Sequence, residues 1–127
     1  MDAYLWIALG SAMGGMARYW CTGLVADEIG GAFPWGTLAV NVIGSFAIGA
    51  FAAAMAEARW ALSPNVQRFV TVGILGGFTT FSAFSLQTLD LLRAGDWWRG
   101  SGNVALSIVL CLVAVWAGHA LVTAAQR

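Results

Sequence analysis

The sequence predicts an all-α membrane protein with four transmembrane helices, the third of them broken. Three observations carry this prediction. Of the 127 residues, 60% are hydrophobic and only 9% charged, against roughly 25% charged in an ordinary soluble domain. The apolar residues gather in four stretches, near 4–25, 35–55, 66–92 and 98–123, and each has the length of about 20 residues that a bilayer crossing needs. The third stretch holds a dense run of glycine and hydroxyl residues, Gly73-Ile-Leu-Gly-Gly-Phe-Thr-Thr-Phe-Ser-Ala-Phe-Ser85. Connections between the stretches are short, so 1–127 reads as one membrane domain set in the lipid bilayer.

In the first span Gly10, Gly14 and Arg18 fall four apart and share a face, as do Ser11 and Gly15. Small residues at this spacing let helices approach closely. Arg18 is costly within a membrane and either meets a partner or a wet cavity, or snorkels to the nearby interface. The N-terminus lacks the basic region of a cleaved signal peptide and carries Asp2 instead. In the second span Thr37, Asn41 and Ser45 again repeat every four residues. Asn41 offers two donors and a carbonyl acceptor, suited to interhelical bonding or to an ion.

The third span carries the strongest signal. Each glycine weakens a helix by about 1 kcal/mol relative to alanine, which argues against one regular helix there. Backbone freed from a helix is tolerated at membrane depth only inside protein or beside a wet cavity, so such a break marks a candidate ion site. Phe81 and Phe84 share a face beside Ser82 and Ser85. Core packing is the ordinary role of two phenylalanines, yet the positive edge of a ring also attracts an anion. Carbonyls freed between Gly76 and Thr79 would be hard oxygen ligands for a small cation. The fourth span repeats the polar stripe with Asn103, Ser107 and Cys111. A serine can bond its own i−4 carbonyl, so the convergence of stripes says more than Ser107 alone. His119 reads as an interfacial residue.

Other function classes find little support. No nucleotide, zinc or nucleophile motif is present. The six acids, Asp2, Asp27, Glu28, Glu57, Asp90 and Asp96, lie in loops or at span ends. A proton-coupled multidrug transporter of similar size needs an acid within the membrane, and this chain places none there. Net charge is zero and all six basic residues are arginine, without the basic patch that nucleic-acid binding requires. Cys21 and Cys111 read as small apolar residues. Trp6, Trp20, Trp35, Trp60, Trp97 and Trp98 lie near span ends, where indole rings settle at headgroups, and Trp116 lies inside a span. Arg59, Arg68 and Arg127 fall on one side of the membrane and Arg93 and Arg99 on the other, which is almost no orientation bias. Two readings of that balance stay open: one orientation set by other factors, or insertion both ways with head-to-tail pairing. Four short helices are few to enclose a polar pathway, which favours a homo-oligomer.

The chain resembles the small bacterial fluoride channels of the Fluc, or CrcB, family. The likeness runs through Gly14-Gly15-Met-Ala-Arg18-Tyr-Trp, through Pro34-Trp-Gly-Thr-Leu-Ala-Val-Asn41, and most specifically through the run from Gly73 to Ser85. The resemblance implies an antiparallel, dual-topology homodimer with two pores in the bacterial inner membrane. It implies passive export of fluoride, which lowers its toxicity, with no enzymatic step. By motif, Phe81, Phe84 and Asn41 correspond to pore residues, Thr80, Ser82 and Ser107 to a hydroxyl track, and Arg18 to the aqueous vestibule. The backbone carbonyls of Gly76 and Thr79 correspond to ligands of a structural sodium ion at the dimer interface. Gln87 stands where relatives often carry an acid, and Asn103 where some carry an aromatic residue or histidine. Fluoride/proton antiport is the alternative within the same substrate class.

Overall fold

The computed structural model describes residues 2–56 and 62–127. Within them the chain is helical throughout, with short connections. Helix α1 spans Asp2–Ile29, longer at both ends than the first apolar stretch because Asp2 and the polar end at Asp27 and Glu28 continue the helix beyond it. Helix α2 spans Trp35–Met55. Then come α3 (Pro64–Arg68), a π-helical segment (Phe69–Leu75), α4 (Gly76–Phe78), α5 (Phe81–Arg93) and α6 (Trp97–Ala125). Among the described residues three helical stretches are both long and apolar enough to cross a bilayer: Trp35–Met55, Pro64–Arg93 and Trp97–Ala125. At 28 residues α1 is about 42 Å long. Arg59 and Trp60 lie outside the described residues.

Local chemistry explains where the elements start and stop. Ser63 accepts from the Val66 N–H and Pro64 opens the helix, a pairing that suits an N-terminus whose first N–H groups lack partners. Between α5 and α6 the chain turns at Gly95, whose φ of 81° only glycine adopts freely. Its N–H bonds the Leu92 carbonyl and the Asp96 N–H bonds that of Leu91, a Schellman arrangement. Asp96 then caps α6 by accepting from the Arg99 N–H at 3.1 Å, and its carboxylate meets the Arg99 guanidinium at 2.8 Å.

Sequence alone points to glycine as the source of irregularity in the third span. In the structure Gly73, Gly76 and Gly77 all lie in helical turns, and the chain is extended instead at Thr79 (φ −88°, ψ 158°) and Thr80 (φ −153°, ψ 119°). The glycines answer a packing demand. A Cβ on Gly73 would sit 2.8 Å from the Gly10 Cα, and one on Gly77 would sit 2.7 Å from the Ser11 carbonyl oxygen. A Cβ on Gly14 would run into the Ile74 carbonyl. The face of α1 that carries Gly10 and Gly14 is therefore in backbone contact with the π-helical segment and α4, within the third helix as a whole, Pro64–Arg93.

The same device joins α2 to α6, where Gly49 lies on the Val115 carbonyl and Gly118 on the Phe46 carbonyl. The third helix crosses from one partner to another along its length. Its π-helical segment and α4 pack on α1, whereas α5 packs on α6. Helix α2 touches both halves, and the extended residues fall at that crossing. Few side chains are fully enclosed, with Leu38, Val40, Ala53, Leu91 and Ala114 forming the apolar core. Large apolar side chains such as Tyr19, Trp98 and Trp116 face outward, as lipid-facing residues do. Cys21 and Cys111 are unpaired and half-buried.

Candidate functional site: a groove at the helix crossing

Asn41 meets the interrupted helix from α2. Its Nδ2 donates to the Thr80 carbonyl at 3.0 Å, and its Oδ1 accepts from the Thr80 N–H at 2.8 Å. One side-chain amide thus satisfies both polar groups of a residue that has left the helical ladder. One turn along α2, Gly44 makes room for Thr79, since a Cβ there would collide with the threonine methyl. Helix α2 therefore offers a paired device, the Asn41 amide to bind the extended backbone and the gap at Gly44 to admit it. One N–H of Asn41 is left over.

The redirected donors leave acceptors behind. In a continuous helix the Thr80 N–H would donate to the Gly76 carbonyl, and the Ala83 N–H to that of Thr79. Instead Thr80 donates to Asn41, and Ala83 donates to the Thr80 hydroxyl at 3.2 Å, which caps α5. The carbonyls of Gly76 and Thr79 thereby lose their i+4 partners together. Hard oxygen donors without hydrogen-bond partners suit an alkali cation.

Asn41, Gly76, Thr79, Thr80, Phe81 and Phe84 line one open groove of about 440 Å³, which α6 completes with Ser107 and Cys111. The Phe81 and Phe84 rings stand 5.3 Å apart and are tilted by 49°, within the range of edge-biased aromatic pairs. Phe81 is 79% exposed, so its ring serves the groove and whatever faces it more than the core of one chain. Among the described residues Ser107 has no hydrogen-bond partner, whereas Ser85 donates to the Phe81 carbonyl. Among the described residues the groove holds no ionised side chain, and its polar atoms are hydroxyls, one amide, the Cys111 thiol and backbone.

Two candidate residues fall outside that lining. Ser82 is exposed and touches the site only through the Thr80 hydroxyl, 3.3 Å away. Arg18 is half-buried on α1, beyond the groove. Other contributors carry weaker sequence signals. Thr71 lines the groove from the π-helical segment and gives its hydroxyl proton to the Gln67 carbonyl at 2.8 Å. Its place could be guessed only from the third-span register. Behind Phe84, the Thr88 hydroxyl donates to the Phe84 carbonyl at 2.7 Å and accepts from Asn103 at 2.9 Å. Gln87 borders a second cavity, near the α1–α2 connection, and its Oε1 is buried without a donor.

Residues 5–119 match the family model for CrcB-like protein, Camphor Resistance (CrcB). The chain belongs to the CrcB-like family. A relative from Methylocella silvestris, named fluoride-specific ion channel FluC, is 56% identical over 98% of this chain and 95% of its own. One of the same name from Opitutus terrae is 60% identical over 94% of this chain and 91% of its own. A third, from Paramagnetospirillum magneticum, is 50% identical over the full length of both. The CrcB-like match takes in the whole groove, from Asn41 on α2 to Leu112 on α6.

Proposed function

We propose that this CrcB-like chain is a fluoride-selective channel that lets fluoride leave the cytoplasm of a bacterium down its gradient and so lowers its toxicity. The observation that carries the reading is the groove itself, which joins ring edges, hydroxyls and an amide without any fixed charge. Such groups can replace the water shell of a small, hard anion in stages and then release it, which conduction requires. The names of the three relatives point to the same ion.

In this reading four spans cross the inner membrane, with α1 as the first and the interrupted helix as the third. Two copies pair antiparallel, in keeping with the nearly balanced arginines, and the dimer carries two pores. Phe81, Phe84 and Asn41 line each pore, Thr80, Ser82 and Ser107 continue it as a hydroxyl track, and Arg18 draws anions into the vestibule. Fluoride then meets the remaining Asn41 N–H, because the other bonds of that amide go to Thr80. The carbonyls of Gly76 and Thr79 hold sodium at the dimer interface, where the ion offsets the crowded oxygens of both copies. Its role is structural. Purified protein in liposomes loaded with fluoride or chloride tests the reading. Fluoride release with chloride retained is the expected result, and equal release of both ions would sink it. Fluoride accumulation against its gradient, driven by a pH difference, would instead establish antiport.

A further inference from the structure

The buried contact between α5 and α6 has no part in the groove lining, yet among the described residues it is the most fully enclosed polar link. Asn103 is 2% exposed. Its Nδ2 donates to the Thr88 hydroxyl at 2.9 Å, and that hydroxyl donates onward to the Phe84 carbonyl at 2.7 Å. The hydrogen of Thr88 thus goes to the backbone of one groove residue while its lone pair is held by the opposite helix. Asn103 itself does not line the groove.

The flanking contacts give the pair its meaning. Gly100 lies on Leu92, where a Cβ would come within 2.7 Å of the leucine methyl. Asn103 meets Thr88 one turn further along α6. Another turn along, Ser107 and Phe84 border the groove together. The two helices therefore run antiparallel in a single register, in which each turn of α6 answers one turn of α5. Gly100 and Leu92 make an apolar contact that a slip could remake, whereas the Asn103–Thr88 bond has only one partner geometry. A slip of one turn would also leave the Asn103 amide without its partner inside the bundle, which is costly, while the Thr88 hydroxyl would keep only its bond to Phe84 on its own helix.

We propose that Asn103 and Thr88 form a positioning pair that pins α5 to α6 and so sets the Ser107 hydroxyl beside the Phe84 ring, making the pair a determinant of ion selectivity. The inference rests on the fluoride-channel reading. It assigns Asn103 a bond to the protein in place of a contact with the passing ion.

The test is a double-mutant cycle in liposomes that reads the ratio of fluoride to chloride efflux. Thr88→Val and Asn103→Leu each lower the ratio by about tenfold, on the order of what one buried hydrogen bond contributes. The double variant falls no further than the worse single, because either change breaks the same link. Thr88→Ser, which keeps the hydroxyl, retains the wild-type ratio. Thr88→Cys with Asn103→Ser carries the same cycle should the first pair yield no folded protein. Losses that simply add, unchanged ratios in both singles, or a Thr88→Ser loss as deep as that of Thr88→Val would each overturn the pairing. Wild-type liposomes run alongside separate the two readings. If they hold fluoride, the channel reading fails and takes this inference with it; if they release fluoride while the variants add, only the pairing fails.

Discussion

Asn41 and Thr80 are joined by two hydrogen bonds, 3.0 Å from the amide nitrogen to the threonine carbonyl and 2.8 Å from the threonine nitrogen to the amide oxygen. The link spans 39 positions in sequence and ties α2 to the one place where the third helix lets go of its own ladder. A primary amide, with its donor and acceptor side by side, can both donate and accept across one residue in this way.

Asn41→Asp should therefore damage the protein more than its near-identical shape suggests. An ionised carboxylate still accepts from the Thr80 N–H but faces the Thr80 carbonyl with no proton to offer. Leaving a buried acceptor unmet costs about 1–3 kcal/mol. The expected outcome is a lower unfolding midpoint in detergent together with fluoride efflux reduced by at least tenfold. Asn41→Asp protein with wild-type stability and wild-type flux would show that the two bonds hold nothing of consequence.

Phe81 allows stability and function to be separated. Its ring is 79% exposed within one chain, so Phe81→Ile removes little core packing. The ring edge that it offers the groove is lost outright, because an aliphatic branch has no quadrupole. We expect the unfolding midpoint to change by less than about 0.5 kcal/mol in equivalent stability, while fluoride efflux from liposomes falls below detection. A variant that conducts like wild type would remove the ring from the mechanism. Phe84→Ile, being half-buried, should lose both flux and some stability.

Much of this arrangement is legible in the sequence, and the exceptions have physical causes. The polar stripes were readable because a period of four places Thr37, Asn41 and Ser45 on one helix face. That Phe81, Phe84, Asn41 and Ser107 would share a cavity follows from resemblance, since no periodicity says which stripes converge. The glycines mislead for an instructive reason. Gly73 and Gly77 weaken a helix in isolation, yet each removes a Cβ where another backbone comes within 3 Å, so tertiary packing restores the turns that propensity would unwind. The extended residues are threonines instead, held by a partner 39 positions away that no local rule detects. The link from Asn103 to Thr88 is hidden in the same way, because register between two helices is not written in either one.

The glycine contacts make their own prediction. On α1, a Cβ at Gly14 would strike the Ile74 carbonyl, whereas one at Gly23 meets nothing within 4 Å. Both positions are helical, so alanine carries the same intrinsic gain of about 1 kcal/mol at each. Gly14→Ala must push α1 off the third helix, and overpacking of this kind costs about 1–3 kcal/mol. The expected pattern in thermal unfolding is a lowered midpoint for Gly14→Ala and an unchanged or raised one for Gly23→Ala. Equal midpoints would mean that the close approach between α1 and the third helix is not a constraint on the fold.

Sodium dependence offers a test of the freed carbonyls that does not involve flux. Gly76 and Thr79 would bind the ion through backbone oxygens, so no side-chain substitution removes the ligands, and the ion itself has to be withdrawn. A ligand present at about 100 times its dissociation constant stabilises the native state by about 2.7 kcal/mol. Protein transferred from sodium chloride to N-methylglucamine chloride at equal ionic strength should therefore unfold at a lower temperature, and its dimer should dissociate at higher protein concentration. Matching ionic strength matters because screening alone acts on exposed charges, such as the Asp96–Arg99 pair, in both salts alike. Restoring sodium should recover the midpoint in proportion to the logarithm of its concentration, whereas the larger organic cation cannot reach oxygens set for a small one. Identical midpoints and dimer populations in the two salts would leave the carbonyls of Gly76 and Thr79 without the ion assigned to them.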